Sequence, residues 1–154
     1  MYTKRALGQE QCQAAIAAVT AEFRKNPDSP PWTMAIVDDA GNMLAFTRSD
    51  GAGPPLGRNC IKKAYTSAMT GASTKVFGER RPGETDYAAG LEEHGWSLPE
   101  MGDPMLMVIS GGICVRDPLN NAVLGGIGVS GLPYGPGDHD MALVGLEAMG
   151  LEGG

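Results

Sequence analysis

The 154-residue sequence has no run approaching the roughly 18 apolar residues of a membrane-spanning helix, and Met1 to Gln9 lack the apolar stretch of a secretory leader. A cytoplasmic protein without a membrane partner is expected. Basic residues are scarce: 12 Lys and Arg stand against 18 Asp and Glu, for a net charge of −6 and a pI near 4.8. This balance leaves no electrostatic footprint for nucleic acid. Cys12, Cys60 and Cys114 are odd in number and far apart, which fits neither a disulfide framework nor a structural zinc site. They read as reduced, mostly buried thiols. Only His94 and His139 supply imidazole, and no metal site is expected. Repeats and linkers are absent, so residues 1–154 read as a single domain.

Glycine and proline are plentiful instead, at 23 and 11. Gly126-Ile127-Gly128-Val129-Ser130-Gly131 is a literal G-x-G-x-x-G. A dinucleotide loop with that spacing needs a strand before it, a helix opening among the glycines, and an acidic residue on a later parallel strand. Only the strand is supplied. Pro133 and Pro136 follow at once, each removing a backbone donor and turning the preceding residue away from helix. The glycines therefore mark close approach of backbone, helix or ligand to a strand.

Mixed three- and four-residue apolar spacing predicts helices over Gln9 to Lys25 and Arg58 to Gly71. Between them, Trp32 to Val37 and Met43 to Arg48 flank the turn Asp38-Asp39-Ala40-Gly41-Asn42, a β-hairpin. Residues 78–104 are irregular and polar, the composition of a functional lid, a subunit contact or a flexible loop. Strands are then predicted over Met105 to Ile109, Gly112 to Arg116 and Ala122 to Val129, and Asp138 stands as N-cap of a last helix. The order α-β-β-α-lid-β-β-β-α, with hairpins rather than crossovers, is an α+β fold with a largely antiparallel sheet flanked by helices.

Four blocks, AIVDDAGNMLAFTRSDGA (Ala35 to Ala52), IKKAYTSAM (Ile61 to Met69), GGICVRD (Gly111 to Asp117) and VLGGIGVSG followed by DHDMALVGLEAM (Val123 to Met149), resemble the GlcG/HbpS family, also called the DUF336 or haem-degrading family. The resemblance implies a profilin-like five-stranded antiparallel sheet, a homo-oligomer (dimer, tetramer or octamer), and haem or another tetrapyrrole as ligand. It places Arg48, Lys63 and Asp138 on family positions and Thr74 on the family's threonine element, here without its proline. Where many relatives carry Pro-Gly-Gly-x-Pro-Ile, this chain has Ser110-Gly111-Gly112-Ile113-Cys114-Val115. The rim of the pocket is thus expected to suit a different ligand.

Two readings of these residues remain open. In a protein that binds a planar or anionic small molecule, Arg48 and Lys63 would hold carboxylates at one pocket mouth, Thr74 or His94 would reach the ligand's centre, and Trp96, Tyr134 and His139 would line it. In a cofactor-free isomerase, lyase or hydrolase acting on a small organic or aromatic acid, Lys63, His94 or Glu84 would transfer the proton while Arg48 orients the substrate. His139, between Asp138 and Asp140 at a helix start, feels a dipole that lowers its pKa and carboxylates that raise it. The plainer roles are also available: a snorkelling Lys63, an Arg48 paired with Asp50 or Asp38, an exposed His139 beside a capping aspartate, and solvated lid residues.

Overall fold

The computed structural model describes residues 1–79, 101–133 and 137–153. Their elements are α1 (Gln9–Arg24), β1 (Thr33–Asp38), β2 (Met43–Arg48), α2 (Pro54–Thr70), α3 (Thr74–Glu79), β3 (Gly112–Arg116), β4 (Val123–Ser130), α4 (Gly137–Ala148) and β5 (Glu152–Gly153). β2, β1, β4 and β3 form, in that order, an antiparallel sheet that the two-residue β5 extends beyond β3. None of the described helices is long and apolar enough to cross a membrane.

β1 is buried on both faces, because successive side chains point to opposite sides and each side is covered. Met34 and Ile36 join the larger core with Cys12, Ala15, Val19 and Phe23 of α1 and Ala142 and Leu146 of α4. Ala35 and Val37 face Cys60, Ala64 and Ala68 of α2. The helix α2 can lie so close because the strand beneath it is glycine. A Cβ on Gly128 would overlap the Cys60 carbonyl oxygen and stand 2.6 Å from the Ala64 nitrogen, and one on Gly126 would overlap the Ala64 carbonyl. Both are main-chain atoms that cannot swing aside. Two glycines of the G-x-G-x-x-G run thus receive a helix, while Gly131 passes close to Pro31 and Trp32 at φ 153°.

Two predicted details change. Met105 to Ile109 is not a strand: the Met105 amide donates to Asp103 Oδ1 (3.0 Å), Leu106 to the Asp103 carbonyl (3.2 Å) and Met107 to Thr66 Oγ1 (2.9 Å). Three of its amides are taken by a local turn and by α2, which lessens the need for a strand neighbour. The order of elements after the lid is consequently two strands, a helix and a terminal two-residue strand. An unpredicted helix, α3, follows α2, whose end is fixed by Gly71 at φ 66°, and the Ser73 hydroxyl caps it by accepting from the Val76 amide (3.1 Å). Most of the predicted lid, with Glu84, His94 and Trp96, lies outside the described residues, as does Tyr134.

A candidate functional site at the end of the sheet

Lys63 sits on the face of α2 that lies against the sheet, and its side chain is 3 % exposed. The ammonium donates to the Val129 carbonyl (2.9 Å) at the end of β4 and to Asp138 Oδ2 (2.9 Å) in the first turn of α4. Asp138, whose side chain is 10 % exposed, spends its other oxygen on the Leu132 amide (2.9 Å). The aspartate predicted as an N-cap is therefore inside the helix start, holding a lysine and a loop. The ion pair ties α2, β4 and α4 at one point, with both charges largely withdrawn from water and hydrogen-bonded.

Gly111 closes over this pair. Its carbonyl accepts from the Val129 amide (2.9 Å), its φ is 125°, and a Cβ there would stand 2.8 Å from Asp138 Cβ and 2.9 Å from Lys63 Nζ. Next to it, Thr74 at the start of α3 is fully buried and accepts the Gly112 amide at 2.9 Å. Thr74 thus locks α3 to β3 at the same corner.

Three buried polar atoms find no hydrogen-bond partner among the described residues: Ser110 Oγ, Ser130 Oγ and His139 Nδ1. Each belongs to a residue adjacent in the chain to a member of the cluster: Ser110 to Gly111, Ser130 to Val129, His139 to Asp138. Buried polar atoms with unused capacity are costly, so the residues that flank the ion pair in the chain hold unspent capacity for a further polar partner. His139 is half-buried rather than exposed. Burial pushes its imidazole pKa below the ordinary value, Lys75 adds to the fall, and Asp140 opposes it. The balance differs from the sequence expectation because desolvation enters and the Asp138 charge is matched by Lys63.

The corner gathers Lys63, Thr74, Asp138 and His139, and leaves Arg48 out. Arg48 pairs in register with Thr33, which pairs on its other side with Ser130, so Arg48 stands two strands away and lines a cleft beside α1. Lys63 is taken up by the Val129 carbonyl and Asp138, while Arg48 faces that other cleft. Ser110, Ser130 and Gly111 were not singled out as site residues. The Lys63 to Asp138 contact spans 75 positions, and no local pattern announces it; the departure at Ser110 to Val115 was the available signal.

The chain as a whole has relatives of known sequence and structure. Protein GlcG of Escherichia coli (strain K12) is 32 % identical over 131 residues, covering 84 % of this chain and 85 % of GlcG. A double mutant of Streptomyces reticuli HbpS superposes with a TM-score of 0.75 at 27 % identity, over 96 % of this chain and 89 % of HbpS. PduOC, solved as a haem complex, shares the fold with a TM-score of 0.75 at 22 % identity, over 96 % of this chain and 98 % of PduOC. The family described as haem degrading protein HbpS-like matches residues 7–147, and the chain belongs to that family.

Proposed function

We propose that this chain binds a planar, anionic small molecule of the haem or tetrapyrrole class at the corner where α2, α3 and α4 meet. The observation that carries the reading is the half-buried His139 with an unpartnered ring nitrogen. A metal-ligating imidazole must be neutral, and burial holds His139 in that form at neutral pH. The residues present fit the group: His139 offers the nitrogen, Lys75 supplies a nearby positive charge for a propionate, and the Ser110 and Ser130 hydroxyls have free capacity. Bound haem would supply an iron centre for one-electron and oxygen chemistry. His94, Trp96, Tyr134 and Glu84 lie outside the described residues. Lys63, paired with Asp138 and closed in by Gly111, serves this reading as the fixed floor of the site rather than as a base.

Assembly into a homo-oligomer belongs to the proposal. The sheet-edge strand β2 leaves Met43, Leu44 and Phe46 exposed, an apolar edge of the kind that proteins cover.

Titration with hemin, followed in the Soret band, tests the reading. Saturable one-to-one binding is expected, weakened about ten-fold or more by His139→Ala, since a nitrogen that holds the metal would be a strong contact. Affinity should also fall as the pH drops through the depressed His139 pKa, because protonation takes the nitrogen's lone pair, and should stay level in that respect well above it. Absence of saturation, or binding unchanged by both His139→Ala and His94→Ala, refutes it.

A further inference from the structure

The structure contains a second, separate concavity. It lies between the C-terminal end of α1, the Pro-rich segment 27–31 and the end of β2, and encloses about 580 Å³. That volume falls within the range of small-molecule sites. We propose that it binds a small organic anion carrying one carboxylate on an apolar ring.

Arg5 is committed to Asp117, and Arg116 to the carbonyls of Gly71 and Asn121. Arg24, Arg48 and Arg58 have neither a hydrogen bond nor an ion pair among the described residues, and two of these three line this one cleft. They come from different elements, α1 and the end of β2, so their convergence is a product of the fold rather than of sequence proximity. In a chain of net charge −6, two uncommitted guanidinium groups around one hollow are a local reversal of sign. Guanidinium is the group best matched to a carboxylate, which it can grip with two parallel N–H donors. Asp50 is the one carboxylate in the lining. It leaves the hollow with a single excess positive charge, which suits a monoanion better than a polyanion.

The base of the cleft is aromatic. Phe23 and Trp32 stack with ring centroids 4.6 Å apart and planes 2° from parallel, and both line the cleft together with Pro30 and Pro31. Both aromatic rings are buried, Phe23 3 % and Trp32 8 % exposed, so they form a rigid base held by the core, and Pro30 and Pro31 are the apolar side chains open to the cleft. A ring placed against the prolines would direct its carboxylate toward the arginines at the rim. None of the residues at the Lys63 corner takes part, so this site and the tetrapyrrole reading stand or fall separately.

Trp32 also provides the assay. The chain holds two tryptophans, Trp32 and Trp96; in a Trp96→Phe background, emission from Trp32 reports on the cleft. Benzoate should give a saturable change matched by calorimetry, while acetate (charge without ring) and benzyl alcohol (ring without charge) should each bind about ten-fold more weakly or not at all. Arg24→Gln and Arg48→Gln should each weaken benzoate about ten-fold. Arg58→Gln, an exposed guanidinium outside the cleft, should leave binding unchanged. Phenyl phosphate distinguishes the anion: if it binds and benzoate does not, the carboxylate assignment is overturned. The proposal is likewise overturned if benzoate shows no saturation below about 10 mM, the range of the weakest specific sites, or if both arginine variants bind it as the parent does.

Discussion

Replacing Lys63 with Met tests the architecture of the corner directly. The substitution keeps an unbranched chain of similar length but removes the ammonium, so packing of the methylenes is largely preserved. What changes is electrostatic: Asp138, with a side chain 10 % exposed, loses its counter-charge, and the Val129 carbonyl loses a donor. Stranding one member of a buried ion pair typically costs about 3–5 kcal/mol. For a domain of this length that is a large part of a total of roughly 5–15 kcal/mol, and it corresponds to a fall in Tm of roughly 10–15 °C. Asp138→Leu strands the ammonium and also leaves the Leu132 amide without its acceptor, so its cost should be similar or larger. The double variant decides the matter. With both charges gone only the Leu132 and Val129 groups remain unpaired, at about 1–3 kcal/mol each, so Lys63→Met/Asp138→Leu should be less damaging than the sum of the singles by several kcal/mol. Urea unfolding measured by circular dichroism and tryptophan emission supplies the four free energies. The reasoning is refuted if Lys63→Met lies within about 1 kcal/mol of the parent, or if the two changes add. A lysine kept for proton transfer alone would give that result, because removing a strained catalytic charge seldom destabilises.

The glycines and the thiols yield two further expectations. Gly128→Ala should cost about 3 kcal/mol or more by urea midpoint, because the new methyl meets the α2 main chain, whereas Gly150→Ala, with φ 67° and nothing within 4 Å, should cost only the left-handed conformation, about 1–2 kcal/mol; equal losses would contradict the packing argument. Cys12, Cys60 and Cys114 are all buried, and burial raises each thiol pKa, that of Cys60 to about 11. An aromatic disulfide reagent at pH 8 should therefore find no fast-reacting thiol in the folded protein and all three after denaturation; one rapid equivalent in the native state would refute this.

Those outcomes bear on which features of the sequence were readable. The helix α1, the β1–β2 hairpin, β3 and β4 follow from local signals, namely the spacing of Cys12, Ala15, Val19 and Phe23, the Asp38 to Asn42 turn and runs of β-branched residues, because each periodicity is imposed by the geometry of its own element. Met105 to Ile109 misled because an apolar run of five carries no information about whether a strand neighbour exists. Asp103 and Thr66, far apart in the chain, took its amides instead. Lys63, Thr74, Asp138 and His139 were recognisable one at a time, but neither their convergence nor the departure of Arg48 to another cleft could be read without the register of β1, β2 and β4.

The G-x-G-x-x-G run shows how one signal can be real and mean something else. A phosphate loop uses glycine so that a ligand can approach the main chain; β4 uses Gly126 and Gly128 so that α2 can. That approach has a consequence at Lys63. The Lys63 carbonyl itself presses on Gly112, where a Cβ would overlap it, so at that position the helix lies against the sheet with no room for solvent between them. A lysine on the inner face cannot snorkel outward from such a contact. Its four methylenes carry the ammonium along the sheet surface to the end of β4, and the first groups able to receive it there are the Val129 carbonyl and Asp138. The glycine spacing and the buried ion pair are therefore two ends of one packing solution. Any enlargement at Gly128 that lifts α2 should loosen the Lys63–Asp138 contact, and with it the corner on which His139 stands.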